Sequence, residues 1–308
     1  MEEATANGLA GKVAVVTGGG RGIGRAIALE LAAAKVLVMV SARSTDQIEE
    51  TVKLIEAAGG RAAACPADVS DLTAVKNMLA VTEAELGPPS VLVNNAGGGV
   101  SGSGGPFETL EPERIIAGVE RNLLSVMLLS RLVLPGMLER ERGCIINVAS
   151  GAAMLGMPFV APYCVAKTGV VRFSEVLAAE MLGRGVTVFL ISPGNVVTRL
   201  TQAMVPVLDE IIAEPPAGTP WIYPPGHELE EAGWYPAERA AELCCFLASG
   251  KADRLSGRFF SVHYDEAEIV AQAERVEQQQ LYALRIPTLE GVEPALYYRD
   301  PDTLTASR

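Results

Sequence analysis

The chain has 308 residues, 49% of them hydrophobic and 20% charged, with a formal charge of −12. That balance excludes a disordered chain and makes nucleic acid and anionic membrane surfaces poor partners, so any anionic ligand must be met by local arginine, lysine or backbone amides. Five cysteines (Cys65, Cys144, Cys164, Cys244, Cys245) stand in no metal-ligand spacing with the two histidines, so they read as free thiols and no metal is expected.

The polar opening, Met-Glu-Glu-Ala-Thr-Ala-Asn-Gly, does not read as a secretory leader. The most apolar run, Leu123 to Leu134, is about half a membrane span in length, so a cytoplasmic chain without a spanning helix is expected. Val13 to Thr17, Val36 to Val40, Arg61 to Ala64, Val91 to Asn94, Cys144 to Val148 and Val186 to Ile191 are strand candidates alternating with helix-length segments. Such alternation of continuously apolar runs predicts an α/β fold, a doubly wound parallel sheet of Rossmann type, as a single domain over residues 1–262. Residues 199–236, with Trp221, Tyr223, Trp234, Tyr235, Met204 and Ile211, read as a substrate lid. A C-terminal extension, 263–308, has apolar residues at near-helical spacing from Ile269 through Ala273 and Val276 to Leu284, predicting a helix over 266–285 packed on the domain or a neighbouring subunit.

Directly after the first strand, Thr17-Gly18-Gly19-Gly20-Arg21-Gly22-Ile23-Gly24 opens a helical run. Glycines there let the backbone turn and approach a pyrophosphate, which rests on the unpaired amides of the helix. The second strand ends Val40-Ser41-Ala42-Arg43 without the acid that would hold a ribose hydroxyl, and Arg21 and Arg43 suit a 2′-phosphate, so NADP(H) is expected. Tyr163 and Lys167, at i and i+4, share a helix face where the ammonium can draw the phenol's pKa down. Ser150 follows a strand at the sheet's carboxyl edge, where a hydroxyl can meet charge developing on a substrate oxygen.

Together these elements resemble the one-domain branch of the short-chain dehydrogenase/reductase family over about residues 9–262. Thr17, Gly18, Gly22 and Gly24 match its TGxxxGxG; Asn94-Asn95-Ala96-Gly97 its NNAG; Tyr163 to Lys167 its YxxxK; and Pro193-Gly194 with Val196 and Thr198 its PGxxxT. Asp68-Val69 matches the family's adenine-flanking pair, and Asn122 its water-holding asparagine. The resemblance implies that Tyr163 is the general acid/base, that Lys167 lowers its pKa and holds the nicotinamide ribose, that Ser150 orients the substrate oxygen and that Asn122 relays protons through water. It also implies a homo-oligomer, dimer or tetramer, paired through the helices carrying Asn122 and Tyr163. Three departures stand out: no glycine pair in Gly257 to Tyr264, no glycine in the turn Ala33-Ala34-Lys35-Val36, and the long insert.

The expected activity is NADP(H)-dependent hydride transfer to or from a ketone or secondary alcohol of an apolar small molecule. A 3-oxoacyl carrier-protein reductase is an alternative, although the −12 charge opposes docking of an acidic carrier. A non-catalytic NADP(H)-binding regulator is an alternative of another kind.

Overall fold

A computed structural model describes residues 8–98, 104–196 and 235–284. Among them, β1 (Val13–Thr17), β2 (Leu37–Ala42), β3 (Arg61–Pro66), β4 (Val91–Asn94), β5 (Gly143–Val148), β6 (Val186–Ser192) and β7 (Phe259–Ser261) form one parallel sheet ordered β3-β2-β1-β4-β5-β6-β7. Every residue of β1 and β4 is buried, as expected of central strands covered on both faces.

Each face has its own core. On one, α1 (Gly22–Ala33), α2 (Thr45–Ala57) and α7 (Ala237–Ala248) bring Ile27, Leu31, Ile55 and Leu247 onto the sheet. On the other, α3 (Leu72–Glu85), α5 (Ser125–Glu139) and α6 (Ala161–Glu180) supply Met78, Leu129, Met137 and Leu177. Lys35, in the turn that lacks glycine, takes a left-handed φ of 66°, which costs an L-residue about 1 kcal/mol.

The run around Leu123 to Leu134 lies in a longer element than its apolar span suggested. Helix α4 (Pro112–Val119), a π-helical turn (Glu120–Leu124) and α5 follow without a break, giving a 28-residue helix long and apolar enough to cross a membrane by length and composition. Here its inner side packs on the sheet and on α6, burying Val126, Leu129, Val133 and Met137.

The tail differs from the single helix predicted over 266–285. It forms α8 (Glu266–Ala271) and α9 (Ala273–Gln278), broken at Gln272, then residues with positive φ at Gln280 and Tyr282. Ile269, Ala273 and Val276 nevertheless keep their helical spacing and join the α1/α7 core. The Tyr282 carbonyl accepts from Phe259 N (2.8 Å) on the open side of β7, while Leu284 N donates to Glu175 (2.6 Å) and the Leu284 carbonyl accepts from Arg172 (2.9 Å) on α6. Of the aromatic and apolar residues assigned to the lid, all except Tyr235 lie outside the described residues, as does Thr198.

Candidate active site

The chain reverses between β1 and β4, so the loops after these neighbouring strands open a crevice at the sheet's carboxyl edge. Thr17 ties the two loops together: buried at the end of β1, its Oγ1 donates to the Val93 carbonyl (3.2 Å) and accepts from Asn95 N (3.1 Å) and Ala96 N (3.0 Å). Asn95 Nδ2 returns a hydrogen bond to the Thr17 carbonyl at 2.9 Å.

A cleft of about 660 Å³ runs along this crevice, lined by Gly18, Gly20 to Arg25, Arg43, Asp68, Val69, Asn95 to Gly97 and Arg121. Its floor requires glycine. A Cβ at Gly18, whose φ is 67°, would lie 2.7 Å from Asn95 Nδ2, one at Gly20 would lie 2.9 Å from the Gln47 Cβ, and one at Gly24 would collide with the Gly18 carbonyl. Backbone amides at the start of α1 are thus bare to a pyrophosphate, and the cleft is edged by four arginines against two acids. The cradle fits a dinucleotide. Arg43 and Asp68 approach only to 3.9 Å and are 66% and 43% exposed, a loose pair that leaves the guanidinium open to a phosphate.

A second cavity, about 160 Å³, gathers Ser150, Tyr163, Lys167 and Asn122, with Ile23, Asn95, Gly97, Pro193, Gly194 and Val196 on its walls. The sequence reading thus named residues that converge on adjoining cavities. Ser150 caps a short 3₁₀ turn after β5; its Oγ accepts from Ala152 N (3.2 Å), and the hydroxyl proton has no acceptor among the described residues. Lys167 is buried, donates to the Val148 carbonyl at 2.8 Å and sits 5.8 Å from the centre of the Tyr163 ring. Burial alone lowers its pKa, to about 8.

Asn122 occupies the π turn and is 2% exposed. Its Oδ1 accepts from Gly98 N (3.2 Å), and its Nδ2 donates to the carbonyls of Gly98 and Gly118, each at 3.0 Å. A Cβ on Gly97 would lie 2.9 Å from Asn122 Oδ1 and 3.6 Å from Lys167 Nζ, so the two side chains converge on the same glycine. Sequence reasoning passed over the Val148 carbonyl, Gly98, Met157, Val160 and Arg121; of these only Arg121, a cation next to Asn122, carried a side-chain signal.

Comparisons with known proteins identify the family. The short chain dehydrogenase family model matches residues 12–207. A short chain dehydrogenase of Pseudocercospora fijiensis is 32% identical over 91% of each chain. The 3-oxoacyl-[acyl-carrier-protein] reductase of Haemophilus influenzae is 33% identical over 82% of this chain and 97% of its own. Among solved structures, a variant of actinorhodin polyketide ketoreductase with NADPH superposes with a TM-score of 0.73 at 30% identity, covering 82% of this chain and 95% of that one. On the strength of its glycine-floored crevice, its converging Ser, Tyr and Lys and these matches, the chain belongs to the short-chain dehydrogenase family.

Proposed function

We propose that this chain is a ketoreductase that uses NADP(H), with Tyr163 as its acid/base. Family membership makes it an oxidoreductase that moves a hydride between a nicotinamide cofactor and a carbonyl or alcohol carbon of a small molecule. When bound, the nicotinamide supplies or accepts that hydride at its C4. The observation that carries the reading is the buried Lys167 ammonium beside the Tyr163 ring, in one cavity with Ser150.

In reduction, Tyr163 gives its phenolic proton to the substrate oxygen. Lys167, still mostly an ammonium at neutral pH, favours the phenolate left behind, and its bond to the Val148 carbonyl fixes it there. Ser150, whose Oγ is held by Ala152 N, turns its proton toward the same oxygen. Asn122 holds the Gly98 backbone and brings its Oδ1 near Lys167, a polar setting for a water that would resupply the proton. Around the dinucleotide, the glycine loop, Asp68, Val69, Asn95 to Gly97 and Pro193 to Val196 are the assigned contacts, and Arg21 with Arg43 selects the 2′-phosphate.

Met157, Val160, Val148, Ala149 and Val196 make the small cavity largely apolar, which supports an apolar ketone. Relatives named for 3-oxoacyl and polyketide substrates put 3-oxo compounds first in any panel, while the −12 charge argues against an acidic carrier protein as the delivering partner. All five cysteines are unbridged, which supports a cytoplasmic location.

Following NADPH absorbance with a panel of ketones tests the proposal. Tyr163→Phe is expected to lower turnover about 10²- to 10⁴-fold while the Kd of NADPH stays within a few-fold. Near-normal rates in that variant would remove Tyr163 from the chemistry.

A further inference from the structure

The charges of the large cleft leave one cation without an assignment. Its two acids are both paired, Glu50 with Arg25 at 2.7 Å and Asp68 with Arg43 at 3.9 Å. Arg21, at the entry to α1, stands on the β2 side of the crevice with Arg43. Arg121 comes from the other side, out of the π turn between α4 and α5 and against Gly98 in the loop after β4, and lines the large cleft but not the small catalytic cavity. It is half-buried, and among the described residues its guanidinium has no hydrogen-bond or ion-pair partner. Its side chain lies against Gly98: a Cβ there would lie 3.0 Å from its Nη1 and 3.2 Å from its Cδ, while Asn122 grips the Gly98 backbone. Five unmatched donors in a half-dry cleft call for an anion with several acceptor oxygens.

We infer that Arg121 is a further residue of the dinucleotide site, gripping the adenosine diphosphate portion common to NADP(H) and NAD(H). This rests on the assignment of the large cleft to the cofactor. Because β1 separates the loops after β2 and β4, Arg121 is remote from the 2′-phosphate end and has no part in choosing between the two cofactors. Arg43, with Arg21, does the choosing; Arg121 adds affinity for either.

The test measures the Kd of NADPH, NADH and ADP-ribose for the parent protein, Arg121→Met and Arg43→Ala. Arg121→Met is expected to weaken all three in parallel, about tenfold or more, and the loss shrinks at high salt as screening removes the charge term. Arg43→Ala weakens NADPH alone. Arg121→Gln carries the same expectation should Arg121→Met fail to fold. Values within twofold of the parent, or a loss confined to NADPH, would overturn the inference. A parent that binds none of the three probes would overturn instead the assignment of the cleft on which it rests.

Discussion

Lys167 gives the protein a pH-dependent stability that can be read apart from catalysis. Folding lowers its pKa from 10.5 to about 8, so above 10.5 both states are neutral and the residue costs nothing, whereas below 8 the fold carries a buried ammonium. In between, the unfolded chain holds more protons and stability rises with pH; the full penalty is about 3 kcal/mol. Lys167→Met is therefore expected to be more stable than the parent at pH 7 by about 1–2 kcal/mol, since it also forfeits a hydrogen bond to Val148. That advantage fades as pH climbs from 8 to 10.5. Comparing variant with parent by urea unfolding cancels the buried thiols, whose pKa burial raises from the ordinary 9.0, that of Cys144 to about 12, so that they also make stability depend on pH at the alkaline end. An advantage that does not change with pH would refute the argument. The pairing of Tyr163 with Lys167 was legible in the sequence because helical spacing alone sets it. The acceptor that holds Lys167 was not, because a backbone carbonyl of β5 has no side-chain signature. Asn122 was identified, but a widened helical turn leaves no periodicity to read, so its grip on Gly98 became evident only in the structure.

At the scale of elements, the tail is bound to the domain by a few residues with calculable weight. Ile269 and Val276, 5% and 2% exposed, extend the core under α1 and α7, and Arg239 at the start of α7 binds Glu266 at the start of α8. That guanidinium holds the Glu266 carboxyl below the usual carboxylate range. Ile269→Ala is expected to cost about 2–4 kcal/mol in urea unfolding; a cost under about 1 kcal/mol would show that α8 adds little to the common core. Six of the seven strands were legible to within a residue or two, because strands buried in the sheet write apolar runs; β7, the three residues Phe259–Ser261 at the sheet's edge, is too short to write one and was not among the candidates. The tail was less so: its apolar spacing survives a backbone break at Gln272, and periodicity reports which side is buried, not whether one helix spans it.

For the whole molecule, the outer side of the helix Pro112–Glu139 remains apolar. Leu124, Met127 and Leu128, at i, i+3 and i+4, are 43%, 38% and 41% exposed, and on α6 Val165 and Val176 are 62% and 49% exposed. These are the two helices that carry Asn122 and Tyr163, and we propose that they pair copies of the chain into a dimer or tetramer. Light scattering at micromolar concentration is expected to return a multiple of 32.4 kDa, and Leu128→Glu to lower it toward a single chain. A monomeric parent would rule the pairing out. Sheet-to-sheet association, by contrast, is hindered at one end, because on the outer edge of β7 the Phe259 amide is already bonded to the Tyr282 carbonyl. That bond has a consequence in time as well as in space. As the chain emerges in order during synthesis, β7 exists before its cover does, and until Tyr282 docks its free amides can recruit a strand from another copy. The interval between those two events is when the nascent protein is most exposed to aggregation, and the tail is what ends it.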